Sequence, residues 1–193
     1  HLRFDDKAIK APYYINKANF VACHNVAYLI DGYKVVNDVK PGGTFLLDCQ
    51  WTTIEELDAH LPAAVKKYLA KNNVSFYTID ATSLAIKQIG NAKVKNTVLQ
   101  SAFFALAKIL PAAEAIEYMK KMAYKSYIKK GQAMVDLNYA AIDAGADAFV
   151  KIDVPASWKD AGVDAPKAAH EGARADLIDF VNNVVEPVDA MAG

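Results

Sequence analysis

The sequence is poor in the residues that define the cofactor-bearing and exported classes of protein. Two cysteines among 193 residues are too few for a disulfide framework, a cysteine-rich zinc site or an iron–sulfur cluster. Mixed metal sites would have to recruit His24, His60 or His170, and no two of these stand at ligand spacing on one element. Net charge is absent, with 22 Lys and Arg against 22 Asp and Glu. No global field therefore recruits nucleic acid or an anionic membrane. No apolar run approaches the roughly 20 residues that span a bilayer, and no basic start followed by an apolar core suggests export. These absences point to the cytoplasm, or to a reducing organelle such as a hydrogenosome. Glycine-rich phosphate loops are missing too: Gly42-Gly43 opens a strand, whereas a dinucleotide fingerprint closes one and opens a helix.

The chain does have apolar residues, 53% of the total, ample for the core of one domain with an appendage. "ANFVACHN" (Ala18 to Asn25) runs apolar and then stops at a thiol, an imidazole and an amide. After a variable stretch, "KPGG" (Lys40 to Gly43) turns the chain into "TFLLDC" (Thr44 to Cys49). Runs apolar on both faces suit strands covered on both sides. Thr52 and Thr53, each three residues before a glutamate, make a double candidate for a capping box, and Pro62 breaks or restarts the helix. Val65, Tyr68 and Leu69 continue its apolar face to Asn72-Asn73, after which "VSFYTID" is β-rich. This strand, helix, strand unit predicts a parallel crossover and the α/β class.

The second half reads as helical. Asn96 is a candidate cap for a helix striped by Leu99, Ala102, Phe103, Leu106 and Ile109 and stopped by Pro111. Ile116, Met119, Ala123 and Tyr127 stripe the next helix, and Gln132 to Ala144 a third, closed by Gly145. "FVKIDV" (Phe149 to Val154) returns to a sheet edge or runs extended over the surface. A boundary is expected near Gly162. Beyond it Leu177, Ile178, Val181, Val184 and Val185 stripe a last helix that ends at Pro187. So short a helix is marginal alone in water.

Ligands in open α/β sheets collect outside the carboxyl ends of strands. Three such ends, at Cys23–Asn25, Asp48–Trp51 and Asp80–Thr82, are expected to line one crevice, with Asn25, Gln50 and Asp80 as polar groups. A buried cysteine and a turn asparagine are the stronger account of Cys23 and Asn25, and burial is stronger still for Cys49. Cys23 and His24 are not a nucleophile and base pair, because successive side chains on a strand face opposite ways. Lys121, Lys125 and Lys129, with Lys120 and Lys130 beside them, form a basic stripe: a solvated face, or a docking patch for an acidic partner or phosphates.

Segments in order, "HLRF", "INKANFVACHN", "GGTFLLDC", "LPAAVKKYLAKNN", "FYTIDAT", "QSAFFALAKILP", "EYMKKMAYKSYIKKG" and "VKIDVPASW", resemble the gamma domain of pyruvate:ferredoxin (flavodoxin) oxidoreductases. The resemblance implies a partial Rossmann-like domain over residues 1–162, a mostly parallel sheet with helices on both faces, lacking the glycine-rich first unit of the family. Residues 163–193 would be a connector helix towards the next domain. The implied parent oxidatively decarboxylates pyruvate to acetyl-coenzyme A and passes electrons to ferredoxin or flavodoxin. Thiamine diphosphate, magnesium and [4Fe-4S] clusters would sit in its other domains or subunits, and the parent would be a homodimer. This chain would then hold no cofactor, no metal and no catalytic residue, and be inactive alone. It would serve as scaffold and as a lid over coenzyme A, with Asn25, Gln50 and Thr52 as wall positions. The competing reading is a non-catalytic α/β module that docks neighbouring subunits. An independent small enzyme would need a convergent acid, base and nucleophile set, and none is present.

Overall fold

A computed structural model describes residues 7–10, 12, 15–164, 171–172 and 174–189. "HLRF", Pro166 and His170 lie outside the described residues. Strands β1 (Ala18–Cys23), β2 (Val39–Asp48), β3 (Ser75–Ile79) and β4 (Val150–Ile152) form one sheet in the order β1-β2-β3-β4. The first three are parallel, and β4 is antiparallel to β3. "FVKIDV" thus takes the sheet edge. Between β1 and β2 lies the short helix α1 (Ala27–Ile30), and the expected crossover from β2 to β3 is made by α2 (Ile54–His60) and α3 (Ala63–Lys71), divided at Pro62.

The apolar run of β2 is explained by cover on both faces. Alternation sends Phe45 and Leu47 to one side, where they pack with Phe76, Leu57, Leu69 and Trp158. Leu46 goes to the other, with Ile79, Leu84, Val98, Leu99 and Ala141. Each such fully buried side chain contributes about 1.5–3 kcal/mol of transfer free energy. Lys40–Gly43, expected as a turn before the strand, belongs to β2 itself. The register slips there, with Ala18 opposite Val39 but Phe20 opposite Thr44. Gly42 takes φ +73°, in the left-handed region glycine favours, and donates its N–H to Asn72 O at 2.8 Å.

After β3 the chain makes a short helix α4 (Ala81–Ser83) and a widened π-type turn (Leu84–Gln88), then α5 (Lys95–Ala107), α6 (Ala112–Tyr127) and α7 (Gln132–Gly145). Three expectations need correction. Asn96 does not cap α5. Asn91 does the capping one turn earlier, accepting from Lys93 N–H ahead of a 3-10 turn that runs into the helix. The α5 helix also ends before Pro111, at a left-handed Lys108, so Ile109 falls outside the stripe and is 63% exposed. Gly145 is no left-handed cap: it lies inside α7 with ordinary helical φ, and a Cβ there would collide with Val98 O and stand 2.9 Å from Val98 Cα. Glycine is needed for close approach of α7 to α5.

Past β4, a 3-10 turn (Ala156–Asp160) buries Trp158, whose Nε1 donates to Asp58 Oδ1 at 2.9 Å. Asp164, two residues beyond the expected boundary, accepts Ala63 N–H at 2.5 Å and Ala64 N–H at 3.3 Å at the start of α3. The last helix comprises α8 (Ala175–Phe180), a π-type turn (Val181–Val185) and α9 (Glu186–Asp189). It does not end at Pro187. The turn before the proline is wide, with Glu186 N–H bonded to Val181 O, and such a turn spares the clash of a proline ring with the carbonyl four residues back. Leu177, Phe180, Val184 and Val188 remain exposed along it.

Candidate functional site

The three strand ends do meet. A crevice of about 390 Å³ opens beyond the carboxyl ends of β1, β2 and β3, lined among others by Asn25, Gln50, Asp80, Ser83 and Lys95. Thr52 lies outside it and lines a neighbouring hollow with Asp80, Lys87 and Asp147. Asn25 and Gln50 are exposed and Asp80 half-buried.

Each strand end is followed by a tight turn, and each turn is built on a side-chain acceptor. Asn25 Oδ1 accepts Ala27 N–H at 3.0 Å, an Asx turn into α1. After β2, Thr53 Oγ1 accepts Glu56 N–H at 3.3 Å while Glu56 Oε2 accepts Thr53 N–H at 3.2 Å and Thr52 N–H at 3.1 Å. Of the two candidate capping boxes, the one at Thr53 is formed. The Thr52 and Thr53 N–H groups hold the Glu56 carboxyl below its ordinary range. After β3, Asp80 Oδ1 accepts Ser83 N–H at 2.8 Å.

The floor of the crevice carries a feature absent from the sequence reading. The Asp48 side chain is only 4% exposed. It accepts Ala81 N–H on Oδ1 at 3.1 Å and the Lys95 ammonium on Oδ2 at 2.5 Å. A buried carboxylate persists when paired and hydrogen-bonded in this way. Lys95 could have been suspected only from its place one step before a helical stripe, a signal that any surface lysine shares.

Both thiols are inert by position. Cys23 and Cys49 are buried; burial pushes the Cys23 thiol up and the Cys49 thiol up to about 12. His24 faces solvent, and His60 stacks on Trp51 with ring centroids 4.5 Å apart. No group of three or more His, Cys, Asp or Glu among the described residues is placed to hold a metal ion. No helix among them is long and apolar enough to cross a membrane.

The basic stripe divides. Lys120 pairs with Asp143 at 2.6 Å and lies over the Tyr139 ring, whereas Lys121 and Lys125 are exposed on α6. Lys129 and Lys130 fall beyond the helix, in a 3-10 turn.

A mostly parallel sheet covered on both faces, with a polar crevice at the carboxyl ends of its strands, defines a Rossmann-like α/β domain. A family model described as pyruvate ferredoxin/flavodoxin oxidoreductase matches residues 1–148. The chain belongs to that family. It is 38% identical over 193 residues to a pyruvate-flavodoxin oxidoreductase of Klebsiella pneumoniae, covering all of this chain and 16% of that protein. The pyruvate:ferredoxin oxidoreductase of Moorella thermoacetica shows the same identity and the same coverage. The chain therefore spans about a sixth of the length of these relatives. Among solved structures, the pyruvate oxidoreductase subunit PORC of Thermotoga maritima shares the fold, with TM-score 0.55 and 18% identity over 72% of this chain and 67% of that one.

Proposed function

We propose that this chain is one domain of a larger pyruvate:ferredoxin or pyruvate:flavodoxin oxidoreductase, acting as scaffold and as a lid over coenzyme A. The parent decarboxylates pyruvate oxidatively, transfers the acetyl group to coenzyme A and delivers electrons to ferredoxin or flavodoxin. Thiamine diphosphate, magnesium and [4Fe-4S] clusters belong to its other domains. The parent is a homodimer of the cytoplasm, or of a hydrogenosome. Residues 1–162 form the domain and 163–193 the connector, and Asn25, Gln50 and Thr52 stand on the coenzyme A side.

The observation that carries this reading is alignment along the whole chain with a sixth of each relative. A relative named for flavodoxin and one named for ferredoxin match at the same identity. The test is an assay of the purified chain with pyruvate, coenzyme A, thiamine diphosphate, magnesium and a viologen dye. No dye reduction is expected from the chain, and Gln50→Ala in the parent should raise KM for coenzyme A with little change in kcat. Dye reduction by the chain alone overturns the assignment.

The second reading, a module that docks neighbouring subunits, is favoured by the exposed Leu177, Phe180, Val184 and Val188 on the last helix. The two roles are compatible in one domain. Deleting residues 175–193 from the parent should impair assembly and leave the KM for coenzyme A of any assembled enzyme unchanged.

A further inference from the structure

Two apolar surfaces of the chain stand uncovered, and they carry opposite charge. The first is a hollow of about 680 Å³ between α1 and α3, walled among others by Leu29, Ile30, Tyr33, Val36, Leu61 and Val65. Ile30 is 53% exposed there. Lys34, Lys67 and Lys71 also line the hollow, and among the described residues Asp164 is the one acidic residue that does. Its carboxylate accepts Ala63 N–H and Ala64 N–H. The hollow thus presents a basic rim around an apolar floor.

The second surface is the last helix, where Leu177, Phe180, Val184 and Val188 are between 43% and 67% exposed. From Ala175 to Asp189 the sequence holds Asp176, Asp179, Glu186 and Asp189 and no basic residue. Two such helices laid side by side would set acid against acid, whereas a basic rim attracts the helix. No residue of 175–189 lines the hollow of its own chain. In a single chain both surfaces are therefore open. The hollow between α5 and α6 is a poorer seat, at about 290 Å³. Chain continuity also favours the larger one: Asp164 puts the start of the connector in it, and residues 165–174 span at most about 36 Å before the helix begins.

We propose that this hollow is the seat of the last helix, residues 175–189, of a second copy of the chain. Resting on the docking-module reading above, the seat makes the contact reciprocal: two copies related by a twofold axis exchange helices, each hollow takes the helix of the other copy, and the assembly closes on itself. Leu177 and Phe180 cover the apolar floor, and the carboxylates of the helix meet Lys67 and Lys71 on the rim. Helix-in-groove docking of this kind reads apolar anchors at helical spacing.

The experiment is carbodiimide cross-linking of the parent enzyme, with the joined peptides identified separately in the bands of single and double subunit mass. Links from Lys67 or Lys71 to Asp176 or Asp179 are expected in the double-mass band. Sedimentation of the full 193-residue chain should show self-association that weakens as salt rises and that Phe180→Asp abolishes without lowering Tm. Lys67→Glu together with Lys71→Glu should weaken it by about tenfold, and adding Asp176→Lys and Asp179→Lys should restore it. Absence of these links from the double-mass band overturns the second-copy seat, whether they are confined to the single-mass band, where the helix closes on its own chain, or replaced by links to other lysines. Self-association that Phe180→Asp leaves unchanged overturns it too. The docking-module reading survives those results and falls only if the parent still assembles without residues 175–193.

Discussion

The Asp48 carboxylate at the end of β2 holds the Lys95 ammonium at the start of α5, 2.5 Å away, and takes the Ala81 N–H at the start of α4 on its other oxygen. One side chain thereby ties the central strand to both elements that follow β3. The crevice owes its shape to this tie, because the walls after β2 and β3 are fixed to each other through it.

The two partners are unequally buried, and the consequences of losing them differ. Lys95→Ala leaves a carboxylate that is 4% exposed without its counter-charge, and should cost about 3 kcal/mol. Asp48→Ala leaves Lys95, 32% exposed, free to turn towards water, and should cost about 2 kcal/mol, mainly through the orphaned Ala81 N–H. Urea unfolding of both variants and of the double variant measures this. Equal, negligible losses would show that the pair carries no structural weight.

Gly145→Ala is favoured by helix propensity by about 1 kcal/mol yet should destabilise the chain by about 2 kcal/mol, because the new Cβ meets the α5 backbone at Val98 and not a yielding side chain. A thermal melt decides it, and a raised Tm would mean that α7 and α5 move apart freely.

The capping box makes part of the stability pH-dependent. Glu56 is held below its ordinary value of 4.5 by the N–H groups of Thr52 and Thr53. A carboxyl depressed by folding contributes stability that is fully present above its unfolded pKa and is lost as pH falls through the folded pKa. The stability difference between the natural chain and Glu56→Gln should therefore be flat at neutral pH and shrink only in acid, below the ordinary glutamate range. A difference that changes between neutral and alkaline pH contradicts the assignment.

With its thiol pushed up to about 12, Cys49 is protonated at any pH where a thiol reagent is used, and Cys23 is raised in the same direction. Native protein should react slowly with a disulfide reagent at mildly alkaline pH and release two equivalents promptly once denatured. Prompt reaction of the folded chain would place a thiolate at the crevice.

Much of the local structure could be read directly. The apolar runs at Phe20–Cys23 and Thr44–Cys49, the β-rich 74–80 stretch and the Thr53–Glu56 spacing each identify an element through contacts a few residues long, and each is found. The errors fell where a glycine, a proline or an asparagine has more than one use. Gly145 serves close helix packing where a cap was expected, Pro187 is carried by a widened turn, and Asn91 caps in place of Asn96. In each case the deciding partner is distant in sequence or is a neighbouring turn whose width no composition records.

By itself the sequence determined the α/β class, the parallel crossover and the three polar strand ends at Asn25, Gln50 and Asp80, because periodicity and turn chemistry act within one element. Only the tertiary structure decided that Thr52 lies beside the crevice those ends line and that Asp48 pairs with Lys95 on its floor. Hydrogen bonds such as that of Ala81 N–H with Asp48, and the pairing of Asp48 with Lys95, join residues dozens of positions apart. Such pairings follow from the way strands and helices stack, and stacking is a property of the whole chain.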